Sequence, residues 1–114
     1  MIACAIVACA LALDESAPIT LACRGSFDFR VELDLSLGRL VAAPVTDAHG
    51  FELRDAGDAL IFFRDRVIDG RKAFEWISIS RVSGRYAHFI AFRDATGGLE
   101  SSRLMAAAGC KIAT

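Results

Sequence analysis

The chain has 114 residues, with 13 basic and 14 acidic groups, a net charge of −1 and 54% hydrophobic residues. That length supports one domain with a single core. Charges of both signs run from Asp14 to Lys111, so no basic stripe points to nucleic acid. Eleven of the 13 cations are Arg, a residue suited to carboxylate or phosphate recognition and equally a compositional habit.

The first 13 residues, MIACAIVACALAL, are apolar, small and uncharged, and they end abruptly at Asp14-Glu15. An anchor helix takes about 20 residues, so the run is too short for one. It reads as a secretory leader in which Ala10-Leu11-Ala12 is an A-x-A cleavage site, making 1–12 a signal peptide and 13–114 a single β domain that is periplasmic or secreted. No Lys or Arg precedes the apolar run, so the start lies further upstream or the leader is atypical. A second reading stands beside this one: Ile6-Val7-Ala8-Cys9 looks like a lipoprotein lipobox, with Cys9 lipidated and the domain tethered to a membrane.

Removal of the leader takes Cys4 and Cys9 and leaves Cys23 and Cys110, one near each end. In an oxidising compartment such a pair is most simply a disulfide. Its loop closure would contribute roughly 4 to 5 kcal/mol. Two lone Cys do not make a zinc site, which normally takes four ligands.

Ile19, Leu21 and Cys23 alternate with Thr20, Ala22 and Arg24 in a first strand, broken at Gly25-Ser26. Phe27, Phe29, Val31, Leu33 and Leu35 then alternate with Asp28, Arg30, Glu32 and Asp34, which defines a strand with one dry face and one wet face. Ser36 to Arg39 reads as a tight turn, Leu40 to Ala43 as a third strand ended by Pro44, and Phe51 to Leu53 as a short fourth. After the turn signal Asp55-Ala56-Gly57-Asp58 comes the apolar run Ala59 to Phe63, a fifth strand. Residues 64–72, RDRVIDGRK, read as a charged loop around Asp69-Gly70, with Val67 and Ile68 tucked back onto the core.

In the sixth strand, Phe74 to Ile79, the aromatic pair Phe74 and Trp76 has the opposite parity to Ile77 and Ile79. Either both faces are buried or a bulge after Trp76 flips the register. Ser83-Gly84 makes a hairpin, and Tyr86, His88, Ile90 and Phe92 share one side of a seventh strand closed by Thr96-Gly97-Gly98. The final segment is ambiguous. Ser101 and Gly109 would cap a short helix, yet Leu104, Ala106, Ala108 and Cys110 alternate as a strand carrying Cys110 back to Cys23, which the all-β company favours. The expected fold is therefore all-β: an antiparallel meander of about eight short strands, forming a small barrel or sandwich closed by an N-to-C disulfide.

Three stretches, Leu21-Ala22-Cys23-Arg24-Gly25, the run from Ile77 to Tyr86, and Gly109-Cys110, resemble a pattern of small cysteine-bracketed exported proteins of Gram-negative bacteria. The resemblance covers most of the mature chain and implies a staple, a hairpin and a strand, but no activity. More distantly, Ser83-Gly84-Arg85-Tyr86 is similar to the S-G-x-x-Y loop of the C-type lysozyme inhibitors, small disulfide-closed β barrels. It is one residue short, which moves the Tyr hydroxyl to the other face of its strand.

No Gly-rich phosphate loop, G-x-S-x-G or H-E-x-x-H occurs, and neither cofactor nor metal is expected. His49 reads as a turn residue and His88 as a core or lining His, so the domain is expected to be non-catalytic. Asp28, Glu32 and Asp34 read as the solvated face of their strand rather than a carboxylate site. Two binding readings remain. In one, Arg64, Arg66, Arg71, Arg81, Ser83, Arg85 and Tyr86 form an Arg-rich, aromatic-edged surface for another protein. In the other, Trp76, His88 and Phe92 line a barrel interior holding a small apolar ligand.

Overall fold

The computed structural model describes residues 18–113; the leader readings, including residues 1–12 and Cys9, lie outside them. Eight strands form one antiparallel sheet: β1 (Ile19–Gly25), β2 (Asp28–Asp34), β3 (Arg39–Ala42), β4 (Glu52–Asp55), β5 (Ala59–Ile68), β6 (Arg71–Ser80), β7 (Arg85–Arg93) and β8 (Leu99–Ile112). Their spatial order is β3-β2-β1-β8-β7-β6-β5-β4, so the sheet curls into a nearly closed barrel in which β3 and β4 approach without a shared ladder. Between those two strands the chain passes through a short 3-10 turn, Ala48–Gly50.

Period-two alternation sets what faces inward. Leu21 and Cys23 of β1 lie opposite Val31 and Phe29 of β2, and Leu60 and Phe62 of β5 lie opposite Ile79 and Ile77 of β6. These side chains, with Leu33, Leu40, Phe51 and Tyr86, form the core. The alternation of β2 holds for Val31 and Leu33, which are fully buried, but ends before Phe27, which stands 51% exposed at the β1–β2 turn.

Cys23 and Cys110 face each other directly across the β1–β8 ladder and are joined as a disulfide, with Cα atoms 4.1 Å apart. The ladder needs close backbone approach here. Gly84, at φ +74°, accepts from the Cys110 amide at 2.8 Å, and a Cβ at that position would overlap the Cys110 carbonyl oxygen.

One local expectation changes and two open alternatives are decided. Residues 64–72 are not a loop: β5 runs on to Ile68, β6 begins at Arg71, and Asp69-Gly70, both at positive φ, form a two-residue hairpin turn. Because the strands continue into solvent, Val67 is 69% exposed instead of tucked onto the core. The C-terminal segment is strand throughout, since each residue opposite β7 and β1 gains ladder bonds that a short isolated helix would forgo. Finally, β6 has no bulge; its register with β5 is unbroken from Ala59↔Ser80 to Ile68↔Arg71. Both of its faces are therefore covered, one by the core and the other by neighbouring aromatic rings on the outside.

Candidate functional site

Strand direction separates the residues expected to share one binding surface. Arg81, Ser83 and Arg85 surround the β6–β7 turn, whereas Arg71 begins β6 at the opposite end. Ten residues of extended chain put the two groups roughly 30 Å apart. Arg81 pairs with Asp55 at 2.9 Å, and Arg71 pairs with Glu100 and lies over the Phe92 ring at 4.6 Å. Tyr86 is fully buried in the core, its ring 5.0 Å from Phe29, and so is not a surface-loop tyrosine of the kind the inhibitor motif carries.

Arg64 turns inward instead, because it has the same parity as Leu60 and Phe62. Glu75 of β6 and His88 of β7 also point inward, so a cation, an acid and a histidine meet on three adjacent strands at the edge of the apolar core. Glu75, 1% exposed, accepts at Oε1 from Arg64 Nε (2.8 Å) and Arg66 Nη1 (3.2 Å), and at Oε2 from His88 Nε2 (2.6 Å). An ionised carboxylate only accepts, so the proton lies on His88 Nε2. Burial raises the Glu75 pKa, but the hydrogen bonds and charges of His88 and Arg64 outweigh it and hold the carboxyl down at about 2. Arg64 spends its other donors on the β3–β4 connection: Nη1 to Asp47 O and Nη2 to Thr46 O, both 2.6 Å, with the guanidinium 4.0 Å above the Phe51 ring.

The Tyr86 hydroxyl is buried and has no hydrogen-bond partner among the described residues; burial first, then the Glu75 charge, raises its pKa well above the usual phenol range. With both Glu75 oxygens occupied by Arg64, Arg66 and His88, the cluster has the chemistry of a bracing network between strands and the connecting loop.

The outside of the barrel is asymmetric. On β2, Asp28, Arg30 and Glu32 face water. Across β5 to β8 one outward row instead reads Phe63, Trp76, Phe89 and Leu104, each directly opposite the next, with Phe74 beside it. Ring centroids are spaced 6.0 Å (Phe63–Phe74), 5.7 Å (Phe74–Trp76) and 4.9 Å (Trp76–Phe89), the last pair stacked at 18°. Trp76, expected inside the barrel, is thus the centre of an external aromatic stack. Phe92, by contrast, shares the inward parity of its partner Ala73 and is half-buried.

Arg54, Ile61, Phe63, Phe74 and Trp76 line an open groove of about 400 Å³ along the stack. A larger, more polar groove of about 610 Å³, which includes Asp65, Val67, Lys72 and Arg93, lies toward the hairpin tips. Leu104 (53% exposed) and Met105 (47%) extend the apolar surface onto β8. Sequence reasoning registered the odd parity of Phe74 and Trp76 but had no means of joining them to Phe63, Phe89 and Leu104, because that row exists only once the strand registers are set.

The chain matches no known family model. Neither the curated proteins nor the solved structures contain a match to it.

Proposed function

We propose that this is a non-catalytic binding domain that engages another protein through the outer aromatic face of β5 to β8. The observation that carries the reading is the Phe63–Phe74–Trp76–Phe89 stack, set on the outside of a barrel whose opposite wall is charged. A contiguous apolar face on a small domain is characteristic of an interaction site, and Trp with neighbouring aromatics is the usual anchor chemistry. The interior supplies less for a ligand. Phe62, Leu21, Leu33, Leu40, Leu60, Ile77, Ile79 and Tyr86 are fully buried there, and an eight-stranded barrel encloses little more than its own side chains. Export to an oxidising compartment is part of the proposal, supported by the buried Cys23–Cys110 disulfide.

The test is a photo-crosslinking amino acid at Leu104, on the apolar row, and at Glu32 on the charged wall, in cells that naturally express the chain. A discrete adduct from position 104 that is lost in a Trp76→Ala background, with none from position 32, is the expected result. Equal labelling from both positions, or an adduct indifferent to Trp76, would sink the reading.

A further inference from the structure

Seven of the eight strand junctions around the barrel are hydrogen-bonded ladders, and the eighth, between β3 and β4, is not. Residues 43–51 cross that seam. They are held by the packing of Ala48 and Phe51 against the core and by a few polar contacts. Arg64 holds the carbonyls of Thr46 and Asp47, His49 Nε2 donates to Val41 O at 3.0 Å, and the Arg64 guanidinium covers the Phe51 ring. The segment also contains Asp47 at φ +52°, an uncommon conformation for a residue with a side chain. Behind it lie Leu40, Leu60 and Phe62 of the core, against which the segment's own Ala48 and Phe51 are packed.

We propose that residues 43–51 are a strap that opens as a unit while the seven ladders stay intact, and that Arg64, held in place by Glu75, is its clasp. The physical basis is the uneven distribution of backbone bonds. Opening any other junction breaks a ladder, whereas opening this one breaks side-chain contacts from one guanidinium and one imidazole and withdraws the Ala48 and Phe51 side chains from the core, with no ladder lost. Glu75 is a positioning residue in this device. It fixes the Arg64 Nε edge, which leaves the two terminal nitrogens aimed at the strap carbonyls. An open strap exposes the β3 and β4 edges and the apolar residues behind them, a surface separate from the aromatic row.

Native-state hydrogen exchange on the intact wild-type chain reads the opening directly. Released from Arg64, the strap loses support for its own short turns, so the amides of Val45, Gly50 and Phe51, which bond within it, are expected to exchange by this sub-global opening, well ahead of the β6 and β7 amides and with a denaturant dependence well below theirs. Arg64→Lys keeps a cation for Glu75 but cannot span both carbonyls. It is expected to speed strap exchange at least about tenfold while changing the β6–β7 amides less than about twofold. Strap amides that exchange only with the ladder amides in the wild type overturn the proposal. So does a folded Arg64→Lys variant whose strap rates are unchanged, or whose strap and ladder rates rise together. Should that variant fail to fold, the wild-type denaturant series decides alone.

Discussion

Glu75 ties three strands to one loop, and its ionisation has a defined sign for stability. Its folded pKa of about 2 lies below the ordinary value of 4.5, so the carboxylate stabilises the fold fully above pH 4.5 and loses that contribution as pH falls from 4.5 toward 2. The shift corresponds to on the order of 3 kcal/mol. Urea unfolding of the wild type is expected to weaken steeply across that window. Glu75→Gln should be about 3 kcal/mol less stable at pH 7, because Arg64 and Arg66 lose their counter-charge, and its stability should fall less on acidification. Asp34, Asp55 and Asp94 also titrate low through hydrogen bonds to Ser36, Gly57 and Thr96 respectively, but they are shared by both proteins and drop out of the comparison. An acid limb that is unchanged in Glu75→Gln would refute the assignment. Of the cluster, sequence alone places only His88 inward, because Arg64 falls in the segment that reads as a loop and Glu75 is masked by the odd parity of its strand. With the strand bounds known, Arg64, Glu75 and His88 each occupy the apolar phase of their own strand, with Arg66 next in phase on β5. What the sequence withheld was that these three positions lie side by side.

At the scale of elements, turns were read well where they rest on local chemistry and poorly where strand length decides. By sequence, Asp69-Gly70 is the centre of a charged loop over 64–72, and the charges on both sides hide the strands that run up to it. A hairpin extending into solvent tolerates charge on either face, so polarity there does not end a strand. Gly84 shows the opposite case, a turn residue with a long-range duty. Its positive φ shapes the β6–β7 turn and its missing side chain admits the Cys110 carbonyl. Gly84→Ala therefore incurs both backbone strain and overlap, and thermal unfolding is expected to report a loss of about 2 to 4 kcal/mol. Gly57→Ala, at φ +82° with open space around it, carries the strain alone and should lose about half as much or less. Equal losses for the two would show that the contact with β8 contributes nothing.

For the molecule as a whole, the class, strand number and staple were legible because each rests on periodicity or counting. Closure into a barrel, and which wall would be aromatic, depend on registers between residues far apart in the chain. The Cys23–Cys110 bond spans 87 residues, and a Cys23→Ala/Cys110→Ala double variant should lose roughly 4 to 5 kcal/mol of unfolding free energy, measured by denaturant titration. A loss below about 1 kcal/mol would mean that the barrel gains nothing from the long covalent loop.

The strand order has a topological consequence. Because β1 and β8 are neighbours, with the Ala113 amide bonded to Thr20 O at 2.9 Å, the one unladdered junction among the described strands falls in the middle of the chain. A circular permutant that joins Ala113 to Pro18 through a short linker and is cut within 43–51 would be an uninterrupted up-and-down meander from β4 to β3. The two cysteines would then be separated by only a dozen or so residues, and the loop-closure share of the disulfide would shrink by about 2 kcal/mol. In the natural chain order, the same covalent bond acts as a long-range cross-link.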